Sequence, residues 1–143
     1  MAREVLMSIH HNYVEKILAG TKQWEFRRRT ALRAGDRVWM YATAPCAAVL
    51  GWFEVGYVLE LDAVRPDAIV ARDGASTPQE LAEYFSGRTV GYGLKVRRRG
   101  RLQPPLSLPG GEPGPQSYRL LGSRAGDAVF LHELQSASTG CDL

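Results

Sequence analysis

The sequence predicts an α+β fold: a small β-barrel with short helices packed on its outside. Three observations lead there. Helical stretches are few and short, strand-like alternation recurs along the chain, and glycines punctuate the strands. With 143 residues, 45% apolar and 23% charged, the chain is long enough for one domain with a real core. That domain is expected over residues 1–134, followed by a polar, small-residue tail, 135–143, that frays.

Val5 to Ile9 reads as a first strand. Asn12 is expected to cap a helix, with Glu15 three residues on. Val14, Ile17 and Leu18 give that helix its apolar stripe. Gly20 sits where a C-cap glycine belongs, since it takes positive φ without a Cβ clash. Strands then follow at about Gln23–Arg28, Arg37–Tyr41 and Ala48–Leu61. The last holds Gly51 and Gly56, which mark bulges or bends in a wrapping strand. Pro66–Ala71 suggests a short helix. Thr77-Pro78-Gln79-Glu80 opens another with a capping box, and Leu81, Tyr84 and Phe85 form its apolar face.

Thr89 to Val96 alternates Val90, Tyr92, Leu94 and Val96 against Gly91, Gly93 and Lys95. Two glycines on one face suit either a close-approaching ligand or barrel curvature. Residues 100–118 hold five prolines and four glycines and are expected to connect elements. Ala128–Leu134 is expected as a final strand.

The net charge of +3 is unevenly spread. Residues 1–40 carry eight Lys/Arg against four Asp/Glu, residues 41–87 two against seven, and residues 88–143 eight against four. The triplets Arg27-Arg28-Arg29 and Arg97-Arg98-Arg99 supply much of the basic excess. Such asymmetry can form a face that attracts phosphates, or simply a solvated surface. No run approaches the roughly 18 apolar residues of a membrane span. No apolar leader is visible, so a cytoplasmic location is expected. Cys46 and Cys141 fit reduced thiols. His10, His11 and His132 show no zinc-ligand spacing, and neither a metal nor a cofactor is expected.

The most informative stretch is Gly20-Thr21-Lys22-Gln23-Trp24-Glu25-Phe26-Arg27. It sets a cation, an anion and a second cation where a helix hands over to a strand. Alternation puts Trp24 and Phe26 on one face, toward the core, and Glu25 with Arg27 on the other. Lys22 and Glu25, three apart, would diverge in a regular strand. They converge only if Lys22 lies in the turn or beside a bulge. Glu25 and Arg27 can form an ordinary ion pair, worth about 0–1 kcal/mol at a surface. Alternatively the trio lines a polar cleft. There Lys22 or Arg27 binds phosphate, and Glu25 accepts from a base amino group or acts in proton transfer.

Gly20, Lys22, Glu25 and Arg27 match all four fixed positions of the G-x-K-x-x-E-x-R signature of the ASCH family, which belongs to the PUA-like small barrels. Gly35-Asp36-Arg37-Val38, Tyr41-Ala42-Thr43-Ala44-Pro45 and Pro115-Gln116-Ser117-Tyr118-Arg119 also resemble segments of ASCH-like proteins. The resemblance runs from about Val5 to Leu121. Element pattern alone does not separate PUA-like from OB-like barrels; the resemblance points to the first. It implies a nucleic-acid or nucleobase connection. Some ASCH-like proteins hydrolyse an acylated cytidine with a catalytic Lys, Thr and Glu. The lysine maps onto Lys22, but Glu25 stands at the threonine's position, and the acid falls near Gly74, where Asp73 is the neighbouring carboxylate. Thr21 and Thr43 are conceivable substitutes that no spacing favours. Ribonuclease activity is also suggested for some ASCH-like domains.

The expectation is therefore a module binding RNA, single-stranded DNA or a nucleoside. Its contacts are expected from Lys22, Glu25, Arg27, Arg28, Arg29, Tyr41, Arg97, Arg98, Arg99, Ser117, Tyr118 and Arg119. Tyrosine rings such as Tyr41, Tyr92 and Tyr118 can stack bases, Tyr118 being favoured among them, while Trp24, Trp39 and Trp52 are read as core. The alternative is an enzyme of the same fold, an amidohydrolase or metal-free ribonuclease, with Lys22 and Glu25 catalytic. A third reading is a protein-interaction adaptor with an acidic partner.

Overall fold

The computed structural model describes the backbone of residues 2–142 and the side chains of residues 2–138. In chain order it contains β1 (Glu4–Ile9), α1 (His11–Ala19), β2 (Trp24–Arg27), β3 (Arg37–Ala42), β4 (Ala48–Asp62), α2 (Ala68–Asp73), α3 (Pro78–Tyr84), β5 (Val90–Leu106), β6 (Tyr118–Leu120), α4 (Asp127–Ala137) and β7 (Ser138–Asp142). The strands form one curled sheet, an open half-barrel, in the order β2-β5-β4-β3-β1-β6, with β7 also paired to β5.

β1 and β3 are parallel, while the other pairs are antiparallel. A parallel pair needs a crossover. α1 and β2 lie within it, which places the helix-to-strand junction beside the C-terminal end of β1. The sheet curls chiefly through β4 and β5. Their register slips between Val49 and Gly51 and between Val55 and Val58, near both expected glycine bends. Each bulge adds local twist and bends its strand.

Both faces of the sheet are covered. Val5, Met7 and Ile9 of β1 join Val14, Ile17 and Leu18 of α1, with Val38, Met40 and Phe53, in one cluster. Leu6, Trp39 and Trp52 pack on the opposite side against Phe130 and Leu134 of α4. A third cluster joins Trp24 and Phe26 of β2 to Ala71 of α2 and to Leu81 and Phe85 at α3. All three tryptophans are thus core residues.

Several local expectations are revised. His10, not Asn12, caps α1: its Nδ1 accepts from the Asn12 amide at 3.3 Å. The 100–118 connection begins as strand, because β5 runs to Leu106, which pairs with Val49 of β4 after a bulge that follows Arg101. Residues 128–134 are helical, since Phe130 and Leu134, four apart, bury one stripe on the sheet. The expected tail begins inside α4; Leu143 and the side chains of residues 139–142 lie outside the described residues. Gly91 and Gly93 do not open the backbone to a ligand. A Cβ at Gly91 would collide with the Phe85 ring, and one at Gly93 would reach the Trp24 ring at 2.9 Å. They make room for aromatic packing.

Candidate functional site

The junction after α1 builds the site. Gly20 takes φ 86°, a left-handed conformation that costs a side-chain-bearing residue roughly 1 kcal/mol or more. The chain then folds back under the helix end, and the amides of Thr21 and Lys22 both donate to the Lys16 carbonyl at 3.0 and 3.1 Å. The Gln23 amide donates to the Asp73 carbonyl at 2.7 Å. Lys22 therefore precedes the strand and escapes its alternation. Its ammonium converges on Glu25, with Nζ 4.0 Å from Oε1.

Lys22 is only 4% exposed. Its Nζ donates to the Gly74 carbonyl oxygen at 2.9 Å and lies 5.0 Å from the Tyr13 ring centroid and 4.8 Å from that of Phe26. Cation–π contacts offset part of a buried ammonium's lost hydration. Burial still holds the Lys22 pKa below the ordinary lysine value, opposed in part by the nearby Glu25 carboxylate. Glu25, 5% exposed, accepts through Oε2 from Arg27 Nη1 at 3.1 Å. Arg27 Nη2 donates to Ser117 Oγ at 2.6 Å.

Lys22, Glu25, Phe26 and Arg27 line a cavity of about 260 Å³. β1 contributes Ser8 and Ile9, α1 Tyr13, the α2–α3 loop Gly74 to Ser76, and α3 Glu80 and Tyr84. Gly74 allows the loop to pass against β2, since a Cβ there would overlap the Phe26 ring. The next residue, Ala75, takes φ 59°, strained for a residue with a Cβ. The Tyr84 hydroxyl donates to the Phe26 carbonyl at 3.2 Å, which anchors α3 to β2. Burial raises the Tyr84 pKa, which keeps the phenol a donor. Two cations, Lys22 and Arg27, face two carboxylates, Glu25 and Glu80. This lining is balanced in charge, with aromatic walls.

The structure brings together Lys22, Glu25, Arg27 and Ser117 of the expected contact residues. The others are distributed elsewhere. Arg28 Nη1 donates to the Tyr84 and Ser86 carbonyls at 2.7 and 2.9 Å, and Arg29 is exposed. Tyr41 is 8% exposed and packs with Trp39 and Trp52. Arg97 and Arg98 pair with Glu54, whereas Arg99 Nε donates to the Leu18 carbonyl at the end of α1. The Tyr118 hydroxyl accepts from the Ala31 amide at 2.9 Å. Arg119 grips Asp127 with both terminal nitrogens, at 3.2 and 2.9 Å. Thr21 and Thr43 stand outside the cavity wall, so its hydroxyls come from Ser8, Ser76 and the tyrosines. Among the described residues, no three His, Cys, Asp or Glu side chains are grouped to hold a metal. No helix among them is long and apolar enough to cross a membrane.

Sequence reading did not assign Ser8, Tyr13, Ser76, Glu80 or Tyr84 to the cavity. Tyr84 reads as part of the α3 apolar face, yet it is 43% exposed and turned to the rim. Glu80 and Tyr84, four apart, share a face of α3, but Ser8, Tyr13 and Ser76 come from β1, α1 and the α2–α3 loop, and no linear spacing relates these to one another.

The ASCH domain family model matches residues 7–85, which include the whole Gly20–Arg27 junction and the α2–α3 wall. A Zymomonas mobilis protein named ASCH domain-containing ribonuclease is 27% identical over 103 residues, covering 71% of this chain and 70% of that protein. The crystal structure of ASCH from Zymomonas mobilis aligns with TM-score 0.77 at 25% identity, over 92% of this chain and 95% of the other. Crystal structures of a tyrosine-to-phenylalanine and a serine-to-alanine mutant of that protein align at 0.79 and 0.78, again at 25% identity and over 92% of this chain, covering 98% and 96% of theirs. The curled sheet is accordingly a PUA-like fold, and the chain belongs to the ASCH domain family.

Proposed function

We propose that this protein binds single-stranded RNA and takes one base into the cavity beside β2. The observation that carries this reading is the cavity itself: about 260 Å³, walled by Tyr13, Phe26 and Tyr84, with Lys22, Glu25 and Arg27 on its lining. A charge-balanced cavity with aromatic walls suits a base better than a bare phosphate. Glu25 accepts from a base amino group, and the Lys22 ammonium donates to a ring or carbonyl acceptor. Arg27 meets the backbone phosphate at the rim. RNA rather than DNA is favoured by the ribonuclease name of the 27% identical relative.

A second reading is cleavage of the bound strand. It is favoured by that relative and by the lowered pKa of Lys22, since a lysine brought nearer neutrality can exchange a proton. The acylated-cytidine chemistry has less support, because Glu25 stands where that route needs a hydroxyl. One experiment separates these. Labelled single-stranded RNA is titrated with wild type and with Glu25→Gln, and the same mixtures are resolved on a denaturing gel. Glu25→Gln keeps the shape and one acceptor but adds a donor, so binding is expected to become dependent on a different base while the fold persists. Unchanged affinity and base preference, with a lowered melting temperature, would show that the trio only holds the strand. Fragments formed by wild type and lost in Lys22→Met would establish the second reading.

A further inference from the structure

A second cavity, about 500 Å³, lies under the Pro113–Ser117 segment. Leu6, Leu108, Pro113 and Tyr118 contribute to its lining, with Gln116 and Arg124 as polar contributors. Arg119 also borders it, but both of its terminal nitrogens are engaged by Asp127. The remaining charges are Glu112 and the exposed Arg124. This is a nearly neutral recess of mixed apolar and polar lining on a strand-loop surface.

The two cavities share a wall. Ser8 lines the first; its hydroxyl donates to the Pro115 carbonyl at 2.5 Å and its amide to the Ser117 carbonyl at 3.0 Å. Pro115 and Ser117 line the second. Above that wall Arg27 reaches both sides, with one guanidinium nitrogen on Glu25 and the other on Ser117 Oγ.

We propose that the second cavity holds the nucleotide adjacent to the one in the first, so that the protein reads a dinucleotide step of single-stranded RNA. This rests on the reading of the first cavity as a base site. A strand with one base beside Lys22 and the next beside Leu108 and Tyr118 crosses the shared wall. Its linking phosphate then passes Arg27, which exchanges its bond to the Ser117 hydroxyl for the phosphate while keeping Glu25. The recess takes the second base on apolar surface, with the Gln116 amide available to its edge, and Arg124 meets the following phosphate. Charge matching supports this occupant: the recess lacks the clustered cations that a free phosphate would require, whereas its edge carries one.

The test compares a mononucleotide, the matching dinucleotide and a trinucleotide by calorimetry. Proteins are wild type, Arg124→Glu, and Arg65→Glu as a charge-matched control on an exposed loop away from both cavities. Arg124→Glu leaves the first cavity untouched and puts a second carboxylate beside Glu112. For wild type and Arg65→Glu, the dinucleotide is expected to bind about tenfold tighter than the mononucleotide, the gain of one more seated base. The trinucleotide, which supplies the following phosphate, is expected to gain further. For Arg124→Glu the trinucleotide should lose its further gain over the dinucleotide, while the mononucleotide binds as to wild type. Equal affinity for all three ligands in wild type would overturn the second site and leave the first standing. So would equal losses in Arg124→Glu and Arg65→Glu. Absence of mononucleotide and dinucleotide binding alike would reject the base reading of the first cavity and this inference with it.

Discussion

The Lys22 ammonium donates to the carbonyl oxygen of Gly74, 52 residues further along the chain, at 2.9 Å. This bond ties the turn after α1 to the α2–α3 loop and closes the cavity from both sides. It explains why a lysine 4% exposed is retained beside two aromatic rings. The carbonyl and the Glu25 carboxylate supply the polar surroundings that a buried ammonium needs.

Gly74→Ala is expected to disturb both fold and site. The new methyl meets the Phe26 ring and approaches the Trp24 Cβ to 3.2 Å. Overpacking of this kind costs about 1–3 kcal/mol. Urea unfolding should show that loss, and RNA affinity should fall with it because the carbonyl holding Lys22 is displaced. A variant as stable as wild type would mean that the loop accommodates the methyl by shifting.

The buried Lys22 makes stability depend on pH with a defined sign. Its folded pKa lies below the ordinary 10.5, so between those two values the unfolded chain binds more protons than the folded one. Stability from this group therefore rises with pH across that window. Below the lowered folded pKa, the cost of burying the charge is present in full. Wild type should gain stability relative to Lys22→Met as pH rises toward 10.5. Denaturant midpoints for both proteins at neutral and alkaline pH test this, and a constant difference would contradict it.

Asp127 has the opposite sign. Arg119 binds it bidentately, and the Gly122 and Arg124 amides donate to it at 2.8 and 3.1 Å. These bonds hold its pKa well below the usual carboxylate range. Its stabilisation is complete above the ordinary 3.8 and is lost as pH falls through the folded value. Asp127→Ala leaves Arg119, whose side chain is 15% exposed, without its anion. At neutral pH the loss is expected to be about 3 kcal/mol. It should shrink in acid, as denaturant midpoints across the acid range would reveal.

Replacing Arg97, Arg98 and Arg99 together with alanine should weaken RNA binding similarly for all sequences and flatten its salt dependence. Arg99 also reaches the Leu18 carbonyl, so a loss of about 0.3–1 kcal/mol of stability should accompany the change. An unchanged salt slope in a mobility-shift titration would remove this triplet from the RNA-contacting surface.

Much of the fold was legible because it follows from short-range rules. The Thr77–Glu80 capping box is formed in both directions, at 3.1 and 3.0 Å, and Gly20 takes its left-handed turn. Alternation correctly buried Trp24 and Phe26. Where local rules failed, packing overrode them. The Ala128–Leu134 run has apolar residues compatible with either period; docking of Phe130 and Leu134 against Trp39 and Trp52 decides for a helix. Pro104 and Pro105 weigh against a strand, yet β5 carries them in a bulge without β4 partners, between the Gly51–Arg101 and Val49–Leu106 pairs.

The amino-acid sequence by itself determined the family, the charged pattern of Lys22, Glu25 and Arg27, and the condition for their convergence, that Lys22 lie in the turn rather than the strand. Those are properties of neighbours in the chain. Only the tertiary structure decided that the condition is met, that Gly74 supplies the acceptor, and that Tyr13, Tyr84 and Ser117 border the trio. It also separated Arg119, engaged by Asp127, from Arg27 at the cavity rim. The reason is physical: a cavity is set by which distant segments a sheet and its helices bring into contact, and no spacing within one segment encodes that.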